Sequence, residues 1–437
     1  MFNQAPKGTR DILPSEVYKW QYLESIFSTL CAKFGYKEIR IPVFEHTELF
    51  QRGVGDSTDI VQKEMYTFND KAGRSITLRP EGTAGVVRSY IENGMASMAQ
   101  PIKLYYNISA YRYENVQKGR YREFHQFGVE AFGSAGPEID VEIISLLSMF
   151  FERLGLANTG LNINSIGCPR CRDAYHEKLK VFLRPHLDEL CENCQNRFER
   201  NPLRILDCKE ESCQKIVAGA PLLPENLCGE CGAHLEGVMS GLDNLGIVYR
   251  VDPQIVRGLD YYTKTVFEFV SENPGSQGTI CGGGRYDGLV EVCGGAPTPG
   301  IGFALGVERL LMELDSQGIL IEEPPVMDIY IATLGHKASD FAQRLVYELR
   351  KCNVGAETDL LDRSLKAQMK YADKKGFLYT IALGDDEIES GKGVLRDMRS
   401  GEKKDVSLDS IIDRLKKSLL VAPEPCRTCP SDPTQQK

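Results

Sequence analysis

Two long stretches in which apolar and polar side chains alternate, Ile102 to Tyr113 and Arg122 to Phe132, stand on either side of the polar segment Glu114 to Tyr121. Alternation at period two marks a strand with two unlike faces, and the polar segment joins the two into a hairpin with an unusually charged loop. Further strand patterns at Lys37 to Phe44, Leu161 to Ile166, Gly246 to Val251, Thr263 to Val270, Gly278 to Cys281 and Ile301 to Ala304 enlarge the sheet, and Met65 to Phe68 with Ser75 to Leu78 form a smaller pair. Helical spacing in this part of the chain marks Glu16 to Phe34, started by Pro14 and the capping candidate Ser15, and also Gly82 to Asn93, Pro137 to Leu154 and Gly306 to Asp315. So many antiparallel signals predict an α+β fold and disfavour a doubly wound sheet. The chain has no Gly-x-x-x-x-Gly-Lys phosphate loop, so a bound nucleotide has to be held by side chains.

A chain of 437 residues exceeds one ordinary core. Ser316 to Met327, with Pro324 and Pro325, has the composition of a linker. Beyond it, apolar runs at Asp328 to Thr333 and Leu378 to Leu383 alternate with helical patterns at Ala338 to Lys351 and Ser364 to Lys375, which predicts a small α/β domain. Between Cys168 and about Ser240 the pattern changes to helices broken by cysteine pairs and by Pro202, Pro221 and Pro224, as in an inserted domain. The expected organisation is a domain over 1–323 with a cysteine-rich insertion at 168–240, an α/β domain at 324–421, and a polar, proline-rich tail at 422–437 expected to be disordered. No apolar run approaches the roughly 20 residues of a membrane helix, and Met1 to Arg10 lacks a secretory pattern. The expected location is the cytoplasm. A formal charge of -9 argues against a general nucleic-acid coat protein, but leaves room for local basic strips beside an RNA.

The period-two pattern puts Phe124, Gln126, Gly128 and Glu130 on one strand face, an odd set to bury without a ligand. The string Arg112-Tyr113-Glu114, a basic loop, then Arg122-Glu123-Phe124-His125-Gln126 resembles the second signature motif of class II aminoacyl-tRNA synthetases in the form found in the bacterial-type histidyl-tRNA synthetase family. Two more segments resemble histidyl motifs of that family, Arg257-Gly258-Leu259-Asp260-Tyr261-Tyr262-Thr263 and Gly282-Gly283-Gly284-Arg285-Tyr286-Asp287. Gly300 to Arg309 resembles the third class II motif. Lys7 to Asp11 with the helix to Gly35 resembles the opening segment and first motif, which implies a homodimer. At Asn115 the family often has an arginine, so the loop departs from the pattern there.

The resemblance implies a class II antiparallel sheet with flanking helices, a mostly helical insertion and a C-terminal α/β anticodon-binding domain. It also implies a histidine–tRNA ligase that makes histidyl-adenylate from L-histidine and ATP with Mg2+, then transfers the histidyl group to tRNA(His). Arg112 would grip the α-phosphate, Glu114 lie near the adenine amine, Phe124 stack on the base and Arg309 contact the γ-phosphate, with Arg120 in the same ATP loop. Glu130 and Tyr262 would read the imidazole, Glu81, Thr83 and Gln126 receive the α-amino group, and Tyr261 and Tyr286 line the pocket. Arg257, facing the carboxylate, and Arg112 are the expected catalytic residues. The rival is the synthetase-like regulatory subunit of ATP phosphoribosyltransferase in histidine biosynthesis, which shares the core without the ligase activity.

Eight of the 14 cysteines lie from Cys168 to Cys231. Their spacing suggests structural zinc, with Cys168-x2-Cys171 joining Cys191-x2-Cys194, and Cys208-x4-Cys213 joining Cys228-x2-Cys231. Reduced thiols packed as small apolar groups are the alternative. Cys31, Cys281, Cys293 and Cys352 read as ordinary core residues, and Cys426 with Cys429 as a separate loose pair.

Overall fold

A computed structural model describes residues 3–55, 58–206, 208, 210–255, 259, 261–272, 278–324, 327–413 and 415. The chain divides into two compact units after Ile321. The tail at 422–437 and the pair Cys426 and Cys429 lie outside the described residues.

The first unit is built on an eight-stranded sheet. Its strands in chain order are β1 (Lys37–Glu38), β2 (Ile102–Tyr111), β3 (Glu123–Phe132), β4 (Thr159–Ser165), β5 (Arg250–Val251), β6 (Thr263–Ser271), β7 (Thr279–Arg285) and β8 (Gly300–Gly306). They lie in the order β1-β2-β3-β8-β7-β6-β4-β5, antiparallel from β2 to β4, with a short parallel strand at each edge. The expected hairpin is β2 and β3, paired from Ile102↔Phe132 to Tyr111↔Glu123. A three-stranded sheet of Phe44–His46, Thr67–Asn69 and Ser75–Leu78 stands apart from it.

Helix α1 (Pro14–Lys33) buries Trp20, Leu23, Ile26, Phe27, Leu30 and Cys31, one stripe at helical spacing. Leu13 is its N-cap and no side chain caps it, so Ser15 lies inside the first turn and does not take the expected role. Helix α2 (Thr83–Glu92) opens beside β3, and α3 (Glu138–Arg153) brings Ile143, Leu147 and Phe150 to the main core. There Phe27 stacks on Phe127 of β3 with ring centres 4.7 Å apart. Phe127, Val129 and Ala131 belong to this core, whereas Phe132 joins Tyr90, Tyr106 and Tyr286 in a second cluster. The alternation along β3 therefore separates an apolar packing face from the face that carries Gln126, Gly128 and Glu130.

Between β4 and β5 the chain makes the helical excursion expected from its sequence, opening with α4 (Pro169–Leu183) and closing with α5 (Gly229–Asn244). Gly246, at φ +68, ends α5 in a left-handed turn, which is why β5 is shorter than the expected strand from Gly246. Strand β7 instead runs on through three glycines to Arg285. A Cβ at Gly283 would come within 2.4 Å of the Gly302 carbonyl and 2.6 Å of the Phe267 ring, so only glycine lets these strands close up. Helix α6 (Val307–Ser316) follows β8 directly.

The second unit has its own sheet of β9 (Ile329–Leu334), β10 (Ala356–Thr358), β11 (Tyr379–Gly384), β12 (Lys392–Asp397) and β13 (Lys403–Ser407), in the order β10-β9-β11-β12-β13. Its β9 and β11 are the two expected strands, paired in parallel, with helices His336–Lys351 and Leu365–Lys375 between them.

Candidate active site

Glu130 is fully buried at the centre of the polar face of β3. Its Oε1 accepts hydrogen bonds from Thr83 Oγ1 at 2.7 Å and Tyr106 Oη at 3.3 Å, and its Oε2 from Tyr286 Oη at 2.5 Å. The surrounding glycines explain how these groups fit. A Cβ at Gly128 would sit 2.1 Å from Tyr106 Cζ, one at Gly300 2.3 Å from Tyr286 Cε2, and one at Gly302 1.9 Å from Glu130 Oε2. Burial pushes the Glu130 carboxyl up to about 8, against the hydroxyls of Tyr286, Thr83 and Tyr106, which favour the ionised form. A buried acceptor of this kind suits a ligand that brings its own N–H donor.

Glu81 ends the turn before α2, and its carboxylate accepts the backbone N–H groups of Thr83 and Ala84, each at 2.7 Å. It is buried, and desolvation raises its pKa. Gln126, on the same face of β3, is buried with its Oε1 lacking a partner in the protein. Such an orphan is costly unless a ligand fills it. Tyr261 packs edge-on against Tyr286 at 5.8 Å, and burial, then Tyr262, Glu81 and Glu130, hold its phenol well above the usual range. Tyr262 lies 4.7 Å from Tyr261, ring centre to ring centre, and packs into the core of the insertion. A cleft of about 550 Å³ lined by Tyr261, Thr263, Lys264, Asp287 and Arg172 opens beside them. Arg257, Gly258 and Asp260 lie outside the described residues.

The loop between β2 and β3 and the start of α6 carry the arginines. Arg112 Nε donates to the Pro80 carbonyl at 2.8 Å, and its guanidinium stands over the Phe124 ring at 5.2 Å. Arg120 pairs with Glu114 at 3.5 Å. Arg309 donates to the Thr279 carbonyl at 3.1 Å. Desolvation holds the Arg309 pKa below its usual value, and repulsion from Arg120 and Arg112 adds to this while Glu114 opposes it. Arg112 and Arg120 both act on Arg309, with the carboxylates of Glu114 and Glu64 beside them, and planar guanidinium groups gathered in this way suit a polyphosphate.

Three buried or half-buried groups that the sequence left without a role take one in the structure. Arg285, from the glycine-rich motif, is a strut: fully buried, it donates to Asp140 at 2.9 Å, Asp287 at 2.9 Å and the carbonyls of Ser134 and Gly136. Its neighbour Tyr286 is the residue that reaches Glu130. Tyr106 was not singled out by sequence, because in an alternating strand it reads as one more core aromatic; its partner Gly128 directly across the hairpin was the available signal. Nor was Glu308, which accepts both the backbone N–H of His125 at 3.0 Å and its Nδ1 at 2.7 Å.

The cysteine pairing differs from the expected one. Cys168 and Cys171 meet Cys228 and Cys231, and Cys191 and Cys194 meet Cys208 and Cys213, with the sulfurs of each set within 4.8 Å of one another. The proposed unions of Cys168 and Cys171 with Cys191 and Cys194, and of Cys208 and Cys213 with Cys228 and Cys231, do not form. Helix α4 carries the chain away from Cys171, and only the returning segment before α5 comes back to it. Cys31 and Cys281 are buried, Cys293 and Cys352 partly so.

An antiparallel sheet with a charged hairpin loop, an arginine cluster and a buried acceptor pocket on one face defines a class II aminoacyl-tRNA synthetase core. Residues 8–310 match the family profile described as histidyl-tRNA synthetase, and residues 328–418 match that of an anticodon binding domain. The histidine–tRNA ligase of Acetivibrio thermocellus is 71% identical over 416 residues, covering 95% of this chain and 100% of the relative. That of Caldanaerobacter subterraneus is 53% identical with the same coverage. The apo crystal structure of the S. aureus histidyl-tRNA synthetase superposes with a TM-score of 0.82 at 43% identity, covering 94% of this chain and 99% of that one. The chain belongs to the histidyl-tRNA synthetase family.

Proposed function

We infer that the chain activates L-histidine with ATP and transfers the histidyl group to tRNA(His). The observation that carries this reading is the single polar face shared by the buried Glu130 acceptor, the unfilled Gln126 Oε1 and the α2 start at Thr83. A ligase reading is better supported than the regulatory-subunit rival, since the full-length relatives are ligases.

In the proposed arrangement Glu130 and Tyr262 read the two imidazole nitrogens, with Tyr261 and Tyr286 walling the pocket. Gln126, Thr83 and Glu81 receive the α-ammonium group. ATP lies along the hairpin loop, its base on Phe124 with Glu114 near the adenine amine, Arg112 on the α-phosphate, Arg120 beside the loop and Arg309 on the γ-phosphate. Mg2+ enters with ATP and, when bound, shields its phosphate charge. A histidine carboxylate oxygen attacks the α-phosphorus in line, the bond to the bridging oxygen breaks and pyrophosphate leaves. Arg112 and Arg257 stabilise the charge that develops there. A terminal ribose hydroxyl of the tRNA then attacks the adenylate carbonyl and AMP departs. No protein nucleophile is required.

The second unit is proposed to read the anticodon, and the chain to work as a cytoplasmic homodimer through α1 and the segment before it. No helix among the described residues is long and apolar enough to cross a membrane. The test is ATP–pyrophosphate exchange. Exchange that depends on histidine, and on no other amino acid, supports the ligase; histidine binding without exchange would favour the regulator.

A further inference from the structure

The insertion from Cys168 onward packs a small core around Tyr175, Leu179, Phe198, Ile205 and Val217, shared at its edge with Ile166, Tyr262 and Val266, and places three cysteines, Cys194, Cys208 and Cys213, inside it. A module of this size seldom folds on apolar burial alone and usually carries a staple. The eight cysteines form two separate sets of four, and none is joined to another by a disulfide. Sulfur separations of 3.6 Å between Cys168 and Cys171, and 3.8 Å between Cys191 and Cys208, are far from bonded. They match the edge of about 3.8 Å that a tetrahedron has when each sulfur lies about 2.3 Å from a central zinc. Cys168, Cys191 and Cys228 are N-caps of helices, where the dipole favours a thiolate. Backbone N–H groups already point at two of the sulfurs, Cys228 N to Cys171 Sγ at 3.1 Å and Cys191 N to Cys213 Sγ at 3.3 Å.

We propose that the insertion holds two structural Zn2+ ions, one bound by Cys168, Cys171, Cys228 and Cys231 and the other by Cys191, Cys194, Cys208 and Cys213. Each set supplies four thiolates in a closed tetrahedron, which leaves no position for catalysis. The two ions do different work. The outer ion ties the short helices of the insertion to one another. The inner ion clamps the root, where the chain leaves the sheet and returns to it. That root grips the segment after Tyr262: Lys264 N donates to the Gly167 carbonyl at 2.9 Å, Ile166 N donates to the Lys264 carbonyl at 2.8 Å, and Arg172 Nη1 donates to the Tyr262 carbonyl at 3.1 Å. Lys264 is held at φ 47, a left-handed backbone that a lysine keeps only when its surroundings impose it. The inner ion thus positions Tyr262, a role that rests on the histidine pocket proposed above, whereas the binding of the two ions does not.

The test uses the full chain with Cys426→Ser and Cys429→Ser, to remove the tail pair, purified under reducing conditions without added metal. Elemental analysis is expected to find about two equivalents of zinc per chain. Adding Cys171→Ser with Cys231→Ser, or Cys194→Ser with Cys213→Ser, is expected to leave one. The first of these double variants should also raise the KM for histidine in pyrophosphate exchange several-fold more than that for ATP, and the second should move both alike. Should either fail to fold, Co2+ exchanged into the parent is expected to give thiolate-to-cobalt charge-transfer bands and tetrahedral d–d intensity for two four-sulfur sites. Less than one equivalent of zinc with all eight thiols free to titrate overturns the proposal, as does iron in its place. Zinc at two equivalents with no selective effect on histidine overturns only the positioning role.

Discussion

Glu130 is a carboxyl that water does not reach, and its chemistry follows from that. Its folded value of about 8 lies above its ordinary 4.5, so between those two pH values the folded chain holds a proton that the unfolded chain has released. Stability therefore falls as pH rises through this window, and Glu130→Gln is expected to flatten the dependence of Tm on pH there. If Glu130 reads the imidazole as proposed, catalysis is expected to run the other way, because the ionised carboxylate is the better acceptor for an imidazole N–H. In the wild type, kcat/KM for histidine should rise with pH toward about 8, and the glutamine variant should lack that limb while keeping the limbs that belong to free histidine. An identical profile in both proteins would remove Glu130 from the pocket. At the proposed phosphate end, Arg112→Lys keeps the charge and loses the planar fork, so kcat/KM for ATP is expected to fall by about ten- to a hundredfold, the equivalent of roughly 1 to 3 kcal/mol for a charged hydrogen bond. A loss smaller than twofold would show that only charge matters there.

The hairpin was legible because its period of two runs unbroken from Ile102, and with it came the polar face of β3. What sequence reading left open at this scale is mostly where small residues make room for large ones. The glycines of β7 look like a turn until Phe267, Gly302 and Tyr262 are seen to press against them. Strands β10, β12 and β13 escaped notice because β10 is three residues long and the other two carry exposed charge at Lys392, Arg396, Lys403 and Lys404. The cysteine spacing announced sulfur sites but could not say which pairs meet, since that depends on where α4 carries the chain. Arg285 had no role legible in the sequence beyond its place in a motif, and burial makes it the joint between β7, α3 and the loop at Ser134 to Gly136. Arg285→Met should strand the buried Asp140 and lower stability by about 3 to 5 kcal/mol, read as a fall in thermal midpoint. His234, the other partner of Asp140 at 3.1 Å, remains in place in that variant. Gly302→Ala is expected to act more locally, since its Cβ would lie 1.9 Å from Glu130 Oε2. It should raise KM for histidine well before it changes KM for ATP, and an equal rise in both would argue that β8 as a whole had shifted.

Across the whole molecule the two proposed chemical steps make different demands on the two units. The described residues proposed to hold histidine and ATP all lie before Ile321, on a sheet with its own core from α1, α3 and α6. The second unit has a separate core, Ile329, Ile331, Leu345, Leu349 and Ile381 on one side of its sheet and Tyr330, Ala332 and Phe377 on the other, as an independently folding domain requires. In the proposed mechanism adenylate formation draws only on the first set of groups, whereas transfer requires the tRNA to be held as well. If the second unit grips the anticodon, it raises the effective concentration of the acceptor end at the adenylate without touching it. A chain ending at Ile321 should then keep histidine-dependent pyrophosphate exchange within a few-fold, while its kcat/KM for charging tRNA(His) falls roughly 100-fold or more. The loss should sit mainly in KM for the tRNA, so that a large excess of tRNA recovers part of the rate. Circular dichroism and thermal melting of the fragment establish that it is folded before either assay is read. A folded fragment without exchange would show that the adenylation site depends on the second unit, and unaltered charging would show that the second unit does not hold the tRNA.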